Sequence, residues 1–230
     1  MTTRDVGVII AAGGSGSRTG SSELKQFRWV AGKPMLLHSL QRFQERADVA
    51  MVVCVLPREY VGDPPPWIFQ CDTDRLLLCP GGKERAESVA NGLEDIPREC
   101  DVVVVHDAAR PFFTDRMADD VIEAARTGVC AVPVIRISDT LKSLADDLVV
   151  TETVDRSRLW RVQTPQAFPR DVLYRAHSLP LEQRIKSPDD AAICEGLGYK
   201  CIGVPGSERG IKITTESDFA VAEALSNLTE

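Results

Sequence analysis

Apolar residues along this chain follow two rhythms. Residues 6–12, 49–56, 102–106 and 129–134 are short continuous apolar runs, the pattern of a strand covered on both faces. Between them the period lengthens to that of a helix. Residues 34–46 place Leu36, Leu37, Leu40 and Phe43 on one face, residues 83–96 do the same with Ala86, Val89, Leu93 and Ile96, and residues 115–126 form a third such stretch. This alternation predicts an α/β fold: a mostly parallel sheet with helices on both faces. Ligands in that architecture bind beyond the carboxyl ends of the strands, so the loops after Ala12, Leu56 and His106 form the expected functional edge.

The rhythm breaks between residues 136 and 162. Two strand-like segments flank Asp146-Asp147 there, which reads as a projecting β-arm. A lone hairpin is marginally stable, so the arm is expected to pack on a second copy of the chain and make a homodimer. Residues 170–177 and 189–197 then read as helices and residues 211–214 as a short strand. A capping-box-like Thr215-Glu-Ser-Asp218 opens a terminal helix running to Leu228. The expected organisation is a single domain over residues 1–230 with 136–162 as an inserted arm.

Composition narrows the function classes. With 43% hydrophobic and 27% charged residues the chain is in the range of globular domains, not disordered ones. No apolar stretch approaches the ~20 residues of a membrane helix. The opening residues lead into a glycine-rich turn and not a cleavage site, so a cytoplasmic location is expected. Twenty-seven basic against 34 acidic residues give a net charge of −7. That argues against nucleic acid as a partner and requires any anionic ligand to be held by a local cluster. Seven cysteines without a C-x-x-C spacing, and three dispersed histidines, fit neither a disulfide framework nor a zinc site. Cys54 and Cys130, inside apolar runs, read as buried thiols.

The first strand empties into Ala-Ala-Gly-Gly-Ser-Gly-Ser-Arg, residues 11–18. Glycines there let backbone N–H groups approach a phosphate. A Walker loop is excluded because Gly32-Lys33 is followed by Pro34. A dinucleotide fingerprint fails too, since Thr19 stands at its third glycine position and the second strand ends in Leu56-Pro57 without a ribose-binding acid. Just after the turn stands a pair of cations instead, Arg18 and Lys25, placed where a triphosphate would lie.

The glycine loop with Lys25-Gln-Phe27 resembles the nucleotide-binding signature of the sugar-phosphate nucleotidyltransferases, which have a Rossmann-like fold. His106-Asp-Ala-Ala-Arg-Pro-Phe112, Asp139-Thr-Leu-Lys142 and Thr164-Pro-Gln-Ala-Phe168 come after it in order. Together the motifs resemble the 2-C-methyl-D-erythritol 4-phosphate cytidylyltransferase family over residues 11–222. The resemblance implies transfer of CMP from CTP to that sugar-alcohol phosphate with release of pyrophosphate, in non-mevalonate isoprenoid synthesis. A cytidylyltransferase for ribitol 5-phosphate or another polyol phosphate is the alternative. It further implies Mg²⁺ as cofactor, held by Asp107, and Arg18 and Lys25 on the triphosphate. The base and nucleotide would be bound by Ala11, Ala12, Gly13, Gly14, Gly16, Gly81, Gly82 and Ser88. Thr140, Arg156, Thr164 and Lys212 would hold the substrate phosphate, with Arg156 serving the neighbouring subunit. Arg18, Lys25, Asp107 and Lys212 form the implied catalytic set, and His106 reads as structural, its ring tied to a backbone carbonyl. Thr19, Pro188 and Gly210 depart from the family pattern.

Overall fold

The computed structural model describes residues 4–14, 24–184 and 186–227. In chain order the first half holds β1 (Val6–Ala11), a 3-10 turn at Lys25–Phe27, and the short pair β2 (Trp29–Val30) and β3 (Lys33–Pro34). There follow α1 (Met35–Gln44), β4 (Val49–Leu56), β5 (Leu76–Pro80), α2 (Arg85–Glu94), β6 (Val102–Asp107) and α3 (Asp115–Arg126). The second half holds β7 (Cys130–Arg136), β8 (Leu141–Leu144), β9 (Val150–Val154), β10 (Trp160–Val162), β11 (Gln166–Pro169), α4 (Arg170–His177), α5 (Leu181–Arg184), α6 (Asp190–Gly196), β12 (Cys201–Pro205) and α7 (Glu216–Ser226).

The main sheet among the described residues has the order β10-β7-β11-β6-β1-β4-β5, with β12 also paired to β7. Pairing is parallel for β6-β1-β4-β5 and for β12 with β7. It is antiparallel where β11 and β10 join. Side chains alternate across the central strands. Val8, Val52 and Val104 face α1 and α3, whereas Ile9, Val53 and Val103 face α2, α4 and α6. Both faces are therefore dry, as the continuous apolar runs require. Gly7 shows how closely the layers approach: a Cβ there would lie 2.6 Å from the Ile96 side chain.

The mostly parallel sheet covered on both faces matches the sequence expectation. Several strands escape the sequence pattern, three of them for reasons visible in their residues. β5 is only five residues long and ends in Pro80, β11 is hidden in the Thr164–Phe168 motif, and β12 carries Gly203 and Pro205, which an edge strand tolerates. The strand expected at residues 211–214 is not formed. That segment finds no ladder partner and is held by single bonds instead, chiefly Ile213 N–H to the Ala109 carbonyl at 2.8 Å.

The arm folds as a two-stranded sheet of its own, with Leu141 opposite Val154 and Ser143 opposite Glu152. Its turn is closed by Ala145 N–H to the Val149 carbonyl at 2.9 Å, and Val149 N–H also donates to the Asp147 carboxylate at 3.2 Å. At its base, Trp160–Val162 returns to the main sheet opposite Arg136. The capping box of α7 is formed between Thr215 and Asp218. All seven cysteines are free thiols, Cys54 and Cys130 among the buried ones. Among the described residues no helix is long and apolar enough to cross a membrane.

Candidate active site

The alternation along β6 decides the fate of its last two residues. His106 follows Val104 onto the α1/α3 face, and Asp107 follows Val105 onto the α2/α6 face at the carboxyl end of the strand. His106 is fully buried, with its ring 5.4 Å from that of Phe43 and 4.6 Å from that of Phe113. Nε2 lies 3.1 Å from the Arg110 carbonyl and Nδ1 3.0 Å from the Thr164 hydroxyl. A carbonyl only accepts, so the neutral ring donates from Nε2 and accepts at Nδ1. The ring is thus tied to a backbone carbonyl, and burial pushes its pKa down to about 3.

This buried ring makes stability depend on pH. The unfolded chain protonates the histidine below pH 6.5, while the folded one keeps it neutral to about 3. Its contribution is therefore intact above pH 6.5 and is lost as the pH falls toward 3, at up to ~1.4 kcal/mol per pH unit. Urea midpoints measured from about pH 7 to 4 are expected to fall more steeply for the native chain than for His106→Asn. Parallel curves would contradict it.

Asp107 is held by cations from three parts of the chain. Lys212 Nζ donates to its Oδ2 at 2.8 Å, Arg85 Nε approaches Oδ1 at 3.4 Å, and Arg110 Nε lies 3.8 Å from Oδ2. Its own N–H donates to the Thr164 hydroxyl at 3.0 Å. Burial alone would raise its pKa, but the cations of Arg85, Lys212 and Arg110 outweigh it and keep the carboxyl well below the usual range. Asp107 is ionised at every physiological pH.

Asp107, Arg85 and Lys212 border a cleft of about 340 Å³ at the carboxyl edge of the sheet. Of the residues expected there, Ala11, Ala12, Gly13, Gly14, Lys25, Gly82, Ser88, Asp107 and Lys212 line it. Gly81 sits against the floor, where an added Cβ would come within 3.3 Å of Gly13 Cα. The Ser88 hydroxyl accepts from Gly82 N–H at 3.1 Å and shapes the turn between β5 and α2. Lys25 Nζ reaches across to the Ile213 carbonyl at 2.8 Å. The neighbouring Gln26 is buried and ties the turn to the Ala12 and Gly14 carbonyls at 2.6 and 3.1 Å. Lys212 borders the cleft because the buried Ile213 anchors the segment in a small core with Phe112 and Phe219.

Gly16 and Arg18 lie outside the described residues. Thr140 and Arg156 lie at the arm, away from the cleft lining, with Arg156 donating to the Ser138 carbonyl. Thr164 is buried behind Asp107, where its hydroxyl joins Asp107 to His106. Gln26, Lys83, Arg85 and Thr214 line the cleft and were missed as site residues, although the first three sit inside motifs whose neighbours were chosen. Their local signal was present, but their partners were not visible. Gly210, which departs from the family pattern, is buried and offers its carbonyl to Arg110 at 2.7 Å and to Gln163 at 3.0 Å.

The family profile described as IspD, 2-C-methyl-D-erythritol 4-phosphate cytidylyltransferase, matches residues 6–227. The chain belongs to the 2-C-methyl-D-erythritol 4-phosphate cytidylyltransferase family. A protein of that name from Syntrophus aciditrophicus is 37% identical over 220 residues, covering 94% of each chain. The crystal structure of the cytidylyltransferase of that name from Thermus thermophilus superimposes with a TM-score of 0.81 at 33% identity, covering 97% of this chain and all of that one. A Granulibacter bethesdensis protein named bifunctional enzyme IspD/IspF is 39% identical, and this chain spans 55% of its length. As a member of the cytidylyltransferase family this chain is a nucleotidyltransferase that uses CTP to cytidylylate 2-C-methyl-D-erythritol 4-phosphate, in isoprenoid biosynthesis.

Proposed function

We propose that the cleft carries out this transfer by positioning and electrostatic stabilisation, without a general base. The attacking group is a phosphate monoester with a second pKa of ~6, so it is largely ionised at neutral pH. Its oxygen attacks the α-phosphorus of CTP and pyrophosphate leaves. The observation that carries the reading is the meeting of Lys25, Asp107 and Lys212 around one cleft whose other wall is glycine backbone. Lys25, with Arg18, would neutralise the triphosphate where charge develops. Ala11, Ala12, Gly81, Gly82 and Ser88 would select the base through backbone and hydroxyl groups. Lys212 would bind the sugar phosphate, and Thr164 would act from behind by fixing the Asp107 main chain.

CTP-using nucleotidyltransferases generally work with a divalent cation, and Mg²⁺ is the ion we assign. Among the described residues no three His, Cys, Asp or Glu side chains come together as a metal cage. A single ionised carboxylate at the rim fits Mg²⁺, which takes its remaining ligands from water and phosphate oxygens. Asp107 would hold the ion, which supplies charge neutralisation on the phosphates. Chelator is expected to abolish activity and Mg²⁺ to restore it. Asp107→Asn should raise the half-activating Mg²⁺ concentration at least ~10-fold, the lower end of losses seen even for groups that only support a ligand. An unchanged Mg²⁺ titration curve would remove Asp107 from this role.

We also propose a homodimer. Leu148, Val149 and Val150 on the arm are 77%, 57% and 55% exposed, an apolar tip that a second copy would cover. Arg156 would then reach the substrate phosphate of the neighbouring subunit. Seven free thiols and a net charge of −7 support a cytoplasmic enzyme with no nucleic-acid partner. The direct test is pyrophosphate release from CTP and Mg²⁺ with methylerythritol 4-phosphate or ribitol 5-phosphate. Release with the first and not the second is expected; preference for ribitol 5-phosphate would overturn the substrate assignment.

A further inference from the structure

A buried relay lies behind Asp107. Arg184 Nη1 is 3.4 Å from His177 Nδ1, and a guanidinium can only donate, so His177 accepts there and donates from Nε2 to Asp190 Oδ1 at 3.0 Å. The second oxygen of Asp190 accepts from Arg85 Nη1 at 2.7 Å. Asp190 is fully buried and does not line the cleft; Arg85 lines it with about a third of its side chain exposed. One guanidinium is therefore shared between two carboxylates, held firmly by Asp190 and only loosely, at 3.4 Å, by Asp107.

We propose that Asp190 is a positioning residue for the transfer reaction, acting through Arg85 to keep Asp107 Oδ1 open to ligand. Guanidinium and carboxylate prefer a two-bonded fork geometry, and Arg85 freed from Asp190 has Asp107 as its nearest remaining carboxylate. Such a clamp would occupy Oδ1 while Lys212 already holds Oδ2. Asp190 prevents it by anchoring the far side of the fork, and the His177–Arg184 pair anchors Asp190 in turn. Burying a carboxylate is costly unless every partner is in place, and here both oxygens are satisfied.

The inference rests on reading Asp107 as the carboxylate that meets the ligand, so Asp107→Asn is measured alongside. Asp190→Asn is expected to lower kcat roughly 10- to 100-fold, the scale on which small misplacements act, with both KM values changed by less than about threefold. The deciding measurement is the double-mutant cycle. If Asp190 works through Arg85, adding Asp190→Asn to Arg85→Gln should change kcat by less than about twofold, because the clamp can no longer form. A second readout without turnover is Mn²⁺ binding in the presence of CTP alone, followed by electron paramagnetic resonance. It should weaken in Asp190→Asn and recover in the double variant relative to Asp190→Asn. Should Asp190→Asn not fold, Asp190→Glu, which keeps the charge and displaces it, takes its place in the same cycle. Multiplicative losses in the cycle, or an Asp190 variant with native kcat and Mn²⁺ binding, would overturn the proposal. If Asp107→Asn itself binds Mn²⁺ and CTP normally, it is the reading of Asp107 that fails.

Discussion

Lys25→Ala is expected to lower turnover at least ~100-fold while the chain remains folded. The lysine opens a 3-10 turn fixed by the buried Gln26, and it borders the same cleft as Gly13, Asp107 and Lys212. Loss of one preorganised donor to a developing oxyanion costs ~2.7 to 4 kcal/mol of barrier in comparable sites, which corresponds to roughly 10²- to 10³-fold. Its folded-state role is smaller. Nζ donates to the Ile213 carbonyl, and a single such bond contributes ~0.5 to 1.5 kcal/mol, or slightly more for a charged donor. A variant with a melting temperature within a few degrees of native and a kcat at or below about one hundredth is the expected pair of results. Near-native kcat in the pure variant would remove Lys25 from the catalytic set. Arg18→Ala, on the same reasoning from the glycine loop, should behave alike.

Mixing two inactive variants should restore activity. Arg156 lies at the base of the arm, away from the cleft of its own chain, whereas Lys25 is in that cleft. If the arms clasp in a two-fold dimer, a site contains Lys25 of one subunit and Arg156 of the other. Co-refolding Arg156→Ala with Lys25→Ala then gives, by random pairing, about half mixed dimers with one complete site each, so about a quarter of native activity returns. A site built within one chain cannot be completed in any pairing. Background activity from a preparation in which mass spectrometry finds mixed dimers would refute the shared site and leave the reaction untouched.

The chain's hydrophobic rhythm determined the layered α/β fold, because a strand buried on both faces must be apolar without interruption and a covering helix must repeat its apolar residues about every 3.6 positions. Val6–Ala11, Val49–Leu56, Val102–Asp107 and the helices between them could be placed from that alone, and so could the arm, where the rhythm stops. The glycine loop and Asp107 were legible because they follow or end a strand, where this architecture puts its ligands, and Lys25 because it comes soon after that loop.

Pairing across the chain was not legible. Asp107 meets Lys212 across 105 positions, Asp190 meets Arg85 across another 105, and Lys25 meets the Ile213 carbonyl across 188. Each depends on strand order and on which helix covers which face, quantities that no local period encodes. The same holds for residues 211–214, whose alternation of apolar and polar residues resembles a strand but which join no ladder and are tied to the Ala109 carbonyl instead. Local periodicity reports which face of an element is dry. Only the closed sheet decides which charges end up within hydrogen-bonding distance, because those contacts are made between loops whose separation is set by the sheet beneath them.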